Sequence, residues 1–291
     1  MGTGITRRGF LRGMAGVAGV AAVGLGAHSL FIEPHNLAIE RLDIRLRRLP
    51  EAFDGFRIAQ ISDIHYGPYM GRRGVQAAVD AAMALRPDAV VLTGDFVSHD
   101  FGRHNGPEGA RNAEPCADVL RRFAPVPVFS VLGNHDHWNS ATIVAGAFHD
   151  AGLQMLRNQA LPLERGAARL WIAGIDDAWA GAADLPHALR QVPDGEATVA
   201  LVHEPDVADY VARFPIDLQL SGHSHGGQVR LPGIGPIILP AMAIKYPEGL
   251  NRVGNLQVYT NRGLGVITPP VRFNCPPEVT LITLRSAKPL G

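Results

Sequence analysis

Leu37, Ile39, Leu42, Ile44 and Leu46 are interleaved with charged residues, and this spacing predicts a half-buried strand over residues 37–49. A short apolar run at 56–61 ends at Ser62-Asp63. Residues 72–85 carry Val75, Ala78, Val79, Ala82 and Met83 at helical spacing, and Pro87 stops that helix. Residues 89–92 predict a buried strand that runs into Thr93-Gly94-Asp95. Strand, helix and strand in this order predict a βαβ unit with parallel strands. Residues 98–115 show no period and read as a loop; 116–123 predicts a helix, 126–132 a strand ending at Gly133-Asn134-His135-Asp136, and 143–151 a helix. Further strands are expected at 170–175, 197–202, 218–220, 257–260 and 279–284, with a short helix at 206–213. Between them, 226–247 is rich in glycine and proline, and its apolar residues Leu231, Ile234, Ile237, Ile238 and Leu239 read as core strands between turns in preference to a face offered to lipid. No repeat or interdomain linker interrupts the pattern, so a single α/β domain is expected.

The first 29 residues depart from it. They contain no acid and read Thr6-Arg7-Arg8-Gly9-Phe10-Leu11-Arg12, followed by a mildly apolar run from 14 to 27. A basic start before a short apolar stretch is the layout of a signal peptide. The run is shorter and richer in glycine than a spanning helix of about 20 apolar residues requires. The paired arginines before Phe10-Leu11 resemble a bacterial twin-arginine signal. That resemblance implies export of an already folded protein by the twin-arginine machinery, to the periplasm or the outer face of the cytoplasmic membrane. Ala27-His28-Ser29 supplies small residues for a cleavage site, and an uncleaved anchor is the alternative. The expected organisation is therefore residues 1–29 as address and 30–291 as the functional domain.

Composition narrows the chemistry. The 291 residues are 46% hydrophobic and 19% charged, which suits a globular protein. The 27 basic and 27 acidic residues balance, which excludes the basic footprint of a duplex nucleic-acid binder. Cys116 and Cys275 are too few for a cysteine-rich zinc site, although export would permit one disulfide between them. Twelve histidines in so balanced a chain are the anomaly.

Several of those histidines fall where apolar strands end: Asp63/His65, Asp95, Asn134/His135/Asp136, His203 and His223/His225. In open α/β sheets the loops at the carboxyl ends of strands form the ligand crevice. Mixed imidazole, carboxylate and amide donors suit Mn, Fe or Zn. They outnumber the three protein ligands of one catalytic zinc and match two ions about 3.5–4 Å apart sharing a carboxylate. Asp63-Ile64-His65, Gly94-Asp95, Gly133-Asn134-His135-Asp136, His203 and Gly222-His223-Ser224-His225 resemble, in order and intact, the signature of the calcineurin-like metallophosphoesterases. Gly226-Gly227-Gln228 and Asn261-Arg262-Gly263-Leu264-Gly265 extend the likeness, which is nearest to the exported bacterial phosphodiesterases with a twin-arginine signal.

The resemblance implies a four-layer α-β-β-α sandwich of two mixed sheets, of the metallo-dependent phosphatase type. It implies two divalent or trivalent metal ions (Mn, Fe or Zn), with Asp63, His65 and His225 on the first, Asn134, His203 and His223 on the second, and Asp95 bridging. His135 would act beside the scissile phosphate without binding metal, and Asp136 would orient the His135 ring. A metal-bridging hydroxide would hydrolyse a phosphoester, expected to be a phosphodiester of lipid or cell-envelope origin. A phosphomonoesterase, a nucleotide-sugar pyrophosphohydrolase and a non-catalytic metal-binding protein on the same fold are the alternatives. No Gly-x-Ser-x-Gly elbow suggests acyl transfer, and Gly263-Leu264-Gly265 does not complete a dinucleotide fingerprint. His28 and His35 lie in or beside the address segment, and His149 and His187 read as surface residues. His99, His104, His137 and Trp138 are secondary candidates for the pocket. Arg262 and Arg272 could meet an anionic group, although structural pairing is the commoner fate, and Glu204 need not face the site.

Overall fold

The computed structural model describes residues 6–98 and 107–287. The strands are β1 (Ala38–Leu46), β2 (Arg57–Ile61), β3 (Ala89–Leu92), β4 (Val128–Ser130), β5 (Gln154–Met155), β6 (Gln159–Arg165), β7 (Ala168–Gly174), β8 (Ala197–Leu201), β9 (Leu218–Ser221), β10 (Arg230–Leu231), β11 (Gly235–Pro236), β12 (Gly249–Val253), β13 (Leu256–Thr260) and β14 (Glu278–Ser286). The helices are α1 (Arg7–Ala27), α2 (Arg72–Ala84), α3 (Pro107–Ala110), α4 (Ala113–Leu120), α5 (Asn134–Asp150), α6 (Leu185–Leu189) and α7 (Ala208–Val211).

The strands form two six-stranded mixed sheets, ordered β1-β14-β2-β3-β4-β5 and β12-β13-β9-β8-β7-β6, with β10 and β11 as a separate hairpin. Strands β2 to β5 run parallel, as do β13, β9, β8 and β7. Their nearly continuous apolar sequences follow from burial on both faces. In β3, Ala89 and Val91 point into the core between the sheets, where they join Leu170, Val199 and Leu218 of the second sheet. Val90 and Leu92 point the other way, into a core shared with α2, α4 and α5. On the outer face of the second sheet, Ala200, Val202 and Val258 pack with residues of α6 and α7. The four layers are thus helices, sheet, sheet, helices, the architecture the resemblance implied.

Several elements depart from the sequence pattern. The edge strand β6 contains Pro162, whose missing N–H is tolerated at a sheet border, and its polar, proline-interrupted sequence conceals it. Helix α5 starts at Asn134 instead of 143. Its first turn carries polar groups toward the site and so lacks apolar period, and the non-helical Ser140 (φ 171°, ψ 101°) breaks the register before the apolar half. Within the span read as a loop, α3 and the start of α4 are helical; His99 and His104 lie outside the described residues. Cys116 and Cys275 are both free and buried: Cys116 packs in the core under the first sheet's helices, and the Cys275 thiol donates to the His225 carbonyl at 3.2 Å.

The N-terminal run is longer than expected. Helix α1 continues through a π turn at His28–Ile32, and the 26-residue run Phe10–His35, which contains an 18-residue stretch of mean hydropathy 1.7 with no buried residue, is long and apolar enough to cross a membrane. Counting the run to Ala27 left out Leu30, Phe31 and Ile32.

The first-sheet helical layer is anchored by Phe96 and Phe148, both fully buried with ring centroids 4.2 Å apart. Phe148→Ala should therefore lower the unfolding free energy by roughly 3–5 kcal/mol in urea denaturation. A loss below about 1 kcal/mol would contradict this packing.

Candidate metal centre

The candidate ligands lie where parallel strands of both sheets end. Asp63 and His65 follow β2, Asp95 follows β3, Asn134 to Asp136 open α5 beyond β4, His203 follows β8, and His223 and His225 follow β9. Asp63 (φ 50°), His65 (φ 48°), Asp95 (φ 56°), His223 (φ 67°) and His225 (φ 51°) are all left-handed. Side-chain-bearing residues pay roughly 1–2 kcal/mol for that conformation, and such strain clusters at functional sites. Cross-loop hydrogen bonds maintain it: Asp63 N to Gly94 O and His65 N to Asp95 O at 2.9 Å, and Gly265 N to Asp63 O at 2.7 Å.

The side chains converge. His65 Nε2 and His225 Nε2 are 3.0 Å apart, and Asp63 Oδ1 is 3.4 Å from the latter. His203 Nε2 and His223 Nδ1 are 3.2 Å apart. Asp95 Oδ2 lies 3.5 Å from His65 Nε2 and 3.3 Å from His203 Nε2, so it reaches both groups. The opposite ring nitrogens set the tautomers. His203 Nδ1 donates to the Thr93 carbonyl at 2.7 Å, and His223 Nε2 donates to the Ala241 carbonyl at 2.9 Å. A carbonyl can only accept, so each ring carries an N–H on that side and aims its other nitrogen at the neighbouring imidazole and Asp95; in the neutral rings those nitrogens present lone pairs, and without a cation between them His203 takes up a proton instead. Asn134 Oδ1, at the first residue of α5, is buried without a hydrogen-bond partner. Facing lone pairs and an orphaned amide oxygen fit a cation, and the donors suit a divalent metal centre.

Electrostatics agree. Burial raises the Asp95 pKa, but His203, His135 and His65 outweigh it and hold the carboxylate well below its usual range. Burial lowers His203, but Asp95 outweighs it and draws a proton there. Burial, and then the His65 ring, push His225 well below the ordinary imidazole value. Burial and the Asp95 charge, partly offset by His203, push Asp63 up to about 7. The pocket attracts positive charge at its centre and resists spreading protons over all its rings.

Asp136 binds backbone. Its carboxylate accepts the backbone N–H groups of Gly133 (3.0 Å), Asp95 (2.9 Å), Phe96 (2.8 Å) and Val97 (3.2 Å), so it braces the Asp95 loop against α5. The shape of the loop explains this: three successive amides converge on one carboxylate at the helix N-terminus. His135 is half-buried, edge-on to His65 with centroids 4.6 Å apart. Its amide donates to Asp95 Oδ1 at 2.8 Å.

The secondary candidates separate. Trp138 stands against His135 (4.8 Å) and Trp179 (5.4 Å), and Trp179 stands edge-on to His223 (5.3 Å), forming an aromatic wall. Trp179 carried no motif; only the buried Glu204 beside His203 hinted at it, since Glu204 accepts the amides of Ala178 and Trp179 and holds that loop. His137 pairs with Asp176 at 2.7 Å. Arg272 is fully buried and donates to the carbonyls of Arg262, Gly263, Gly265 and Cys275, while Arg262 pairs with Glu40 and Glu278. Both arginines are structural.

Gly222 is where close approach demands glycine: a Cβ there would overlap Ser62 Oγ and Asp63 Oδ2. Gly222→Ala should leave a folded protein that binds fewer metal ions per chain by elemental analysis. Unchanged metal content would show that Asp63 is not held as described.

The calcineurin-like phosphoesterase profile matches residues 56–227, more than half of the chain. The uncharacterized metallophosphoesterase YkuE of Bacillus subtilis is 35% identical over 289 residues, 97% of this chain and 98% of that one. Phosphodiesterase YaeI of Escherichia coli is 31% identical over 287 residues, 96% and 99% respectively. Sulfate thiohydrolase SoxB of Thermus thermophilus superposes with a TM-score of 0.50 at 12% identity, over 81% of this chain and 57% of that one, and shares the fold. With its strand-end donors gathered at one edge of two sheets, the chain belongs to the calcineurin-like phosphoesterases and is a metal-dependent phosphoester hydrolase.

Proposed function

We propose that the protein is an exported phosphodiesterase that works with two metal ions. The reading is carried by Asp95, whose carboxylate reaches His65 on one side and His203 on the other. Asp63, His65 and His225 would hold one ion, Asn134, His203 and His223 the other, and Asp95 would bridge them. Mn, Fe and Zn all suit these donors. When bound, the ions supply charge that neutralises phosphate oxygens and acidifies water at the site. Asn134 contributes a neutral oxygen and so leaves that charge undiminished.

The protein's own residues do the rest. His135 stands at the opening between His65 and Trp138. As an imidazolium it would donate a ring N–H to the departing alkoxide, or to the oxygen on which charge develops. Its backbone is fixed on both sides, by the Asp95 carboxylate and by Asn139 Nδ2, which donates to the His135 carbonyl at 2.7 Å. Asp136 is a positioning residue for the Asp95 loop. Trp138 and Trp179 wall one side of the opening and limit water there. A diester is preferred over a monoester because the similar YaeI is named a phosphodiesterase. Residues 30–291 form the hydrolase, and 1–29 carry the twin-arginine address to the outer face of the membrane or the periplasm.

His135→Ala should retain both ions while the turnover of a chromogenic phosphodiester falls by about 10²–10⁴-fold. His135 also lies within ligand distance of His65 and Asp95, so a parallel loss of metal would make it a ligand instead. Asp136→Ala should lose metal and activity together. Wild-type protein, loaded with Mn yet inert toward every ester, would favour the non-catalytic reading. For the address, lysine at both Arg7 and Arg8 should strand the protein in the cytoplasm on cell fractionation; continued appearance outside would disqualify the arginine pair.

A further inference from the structure

The apolar residues after the last metal ligands are not core. Ile234 is 76% exposed, Ile237 56%, Ile238 77% and Ile244 64%. They sit on and just beyond the hairpin of β10 and β11, reversing the expectation of core strands. An isolated exposed isoleucine is ordinary, but a cluster of them marks an interaction surface.

This cluster has a defined neighbour. The base of the hairpin rests on the strip Val271–Cys275: Val229 bridges Phe273, and Arg230 N donates to the Phe273 carbonyl at 2.9 Å. The same strip receives the end of the N-terminal apolar helix. Arg272 N donates to the Ser29 carbonyl at 3.0 Å, and Cys275 N donates to the buried carboxylate of Glu33 at 2.5 Å. The exposed Phe31 (72%) and Ile32 (57%) lie between those two attachments. The helix exit and the hairpin are therefore bolted to one five-residue segment. The hairpin also adjoins the metal centre. A Cβ at Gly227 would run into Pro236, so the hairpin folds directly over the turn after His225. The returning limb brings the Ala241 carbonyl onto His223 Nε2 at 2.9 Å.

We propose that Ile234, Ile237, Ile238 and Ile244, continued by Phe31 and Ile32, form a membrane-docking surface that enters the headgroup layer of the bilayer holding the N-terminal helix. The mouth of the metal centre is thereby turned toward lipid headgroups. This rests on the helix being retained as an anchor. The occupant is lipid because the helix guarantees an apolar phase at that strip, and continuity with it extends the same contact to the hairpin. The bordering cations are already spoken for: Arg230 pairs with Glu248, and Lys245 with Asp209. Docking is thus apolar and does not require anionic lipid.

The full chain reconstituted into phosphatidylcholine vesicles tests this. An environment-sensitive fluorophore is attached to Ile234→Cys, Ile238→Cys, Val20→Cys in the helix, and Ile143→Cys on α5; the native cysteines are buried and stay unlabelled. Labels at 234, 238 and 20 should be blue-shifted and quenched several-fold by a lipid-borne quencher, while the label at 143 reports water. Lipid at 20 with water at 234 and 238 would overturn the docking surface and leave the anchor standing. Water at all positions would overturn both. Hydrolysis of a soluble diester by the same samples reports the catalytic reading independently, since none of the labelled residues belongs to the site.

Discussion

A carboxylate buried between two groups of imidazoles sets the terms for this protein. Asp95 is almost fully enclosed, and its Oδ2 lies close to both His65 and His203 while its Oδ1 accepts the His135 amide. Burying ionisable groups is unfavourable unless charge and hydrogen bonds compensate within the site. The compensation is distributed. Asp136 gathers the amides that hold the Asp95 loop, Thr93 and Ala241 fix the imidazole tautomers, and His223 N donates to both oxygens of Asp63 at 2.9 and 3.0 Å. What the protein does not supply is the central positive charge toward which these lone pairs point. The strained loops and the demand for a metal are two aspects of one arrangement.

The two-sheet sandwich makes that arrangement possible. Each sheet presents parallel strands whose carboxyl ends reach the same edge, and a core of residues such as Val91, Phe129, Val199 and Leu220 locks the sheets face to face. Loops from both sheets therefore meet at fixed separation. Rigid strands carry the strain of five left-handed residues because the loops between them are short and cross-bonded.

Around this centre the surface divides. Trp138 and Trp179 stand over the rings of His135 and His223. On the β9 side, the Ala241 limb leads out to the isoleucine hairpin, and the strip Val271–Cys275 ties that hairpin to the exit of the N-terminal helix. Polar chemistry and apolar surface are thus linked through a few backbone contacts.

The amino-acid sequence by itself determined the chemistry. Carboxylates, an amide and imidazoles at the ends of apolar strands are conspicuous because buried segments seldom tolerate them; the strand pattern predicted one α/β domain, and the two sheets followed only from the resemblance to a family. It did not determine what depends on distant chain meeting chain. Asp136 looked like a partner for the adjacent His135, and nothing in its motif told of the amides about forty positions earlier that its carboxylate accepts. Trp179 had no motif, because its place against His223 exists only once the Glu204 loop is folded. Edge strand β6 and the first turn of α5 lack apolar period because one borders solvent and the other faces the site. Ile234, Ile237 and Ile238 look the same in sequence whether buried or exposed, since hydropathy records a residue's preference for an apolar phase and not which phase meets it. Tertiary structure alone decided that those side chains face outward, beside the helix that can reach a membrane.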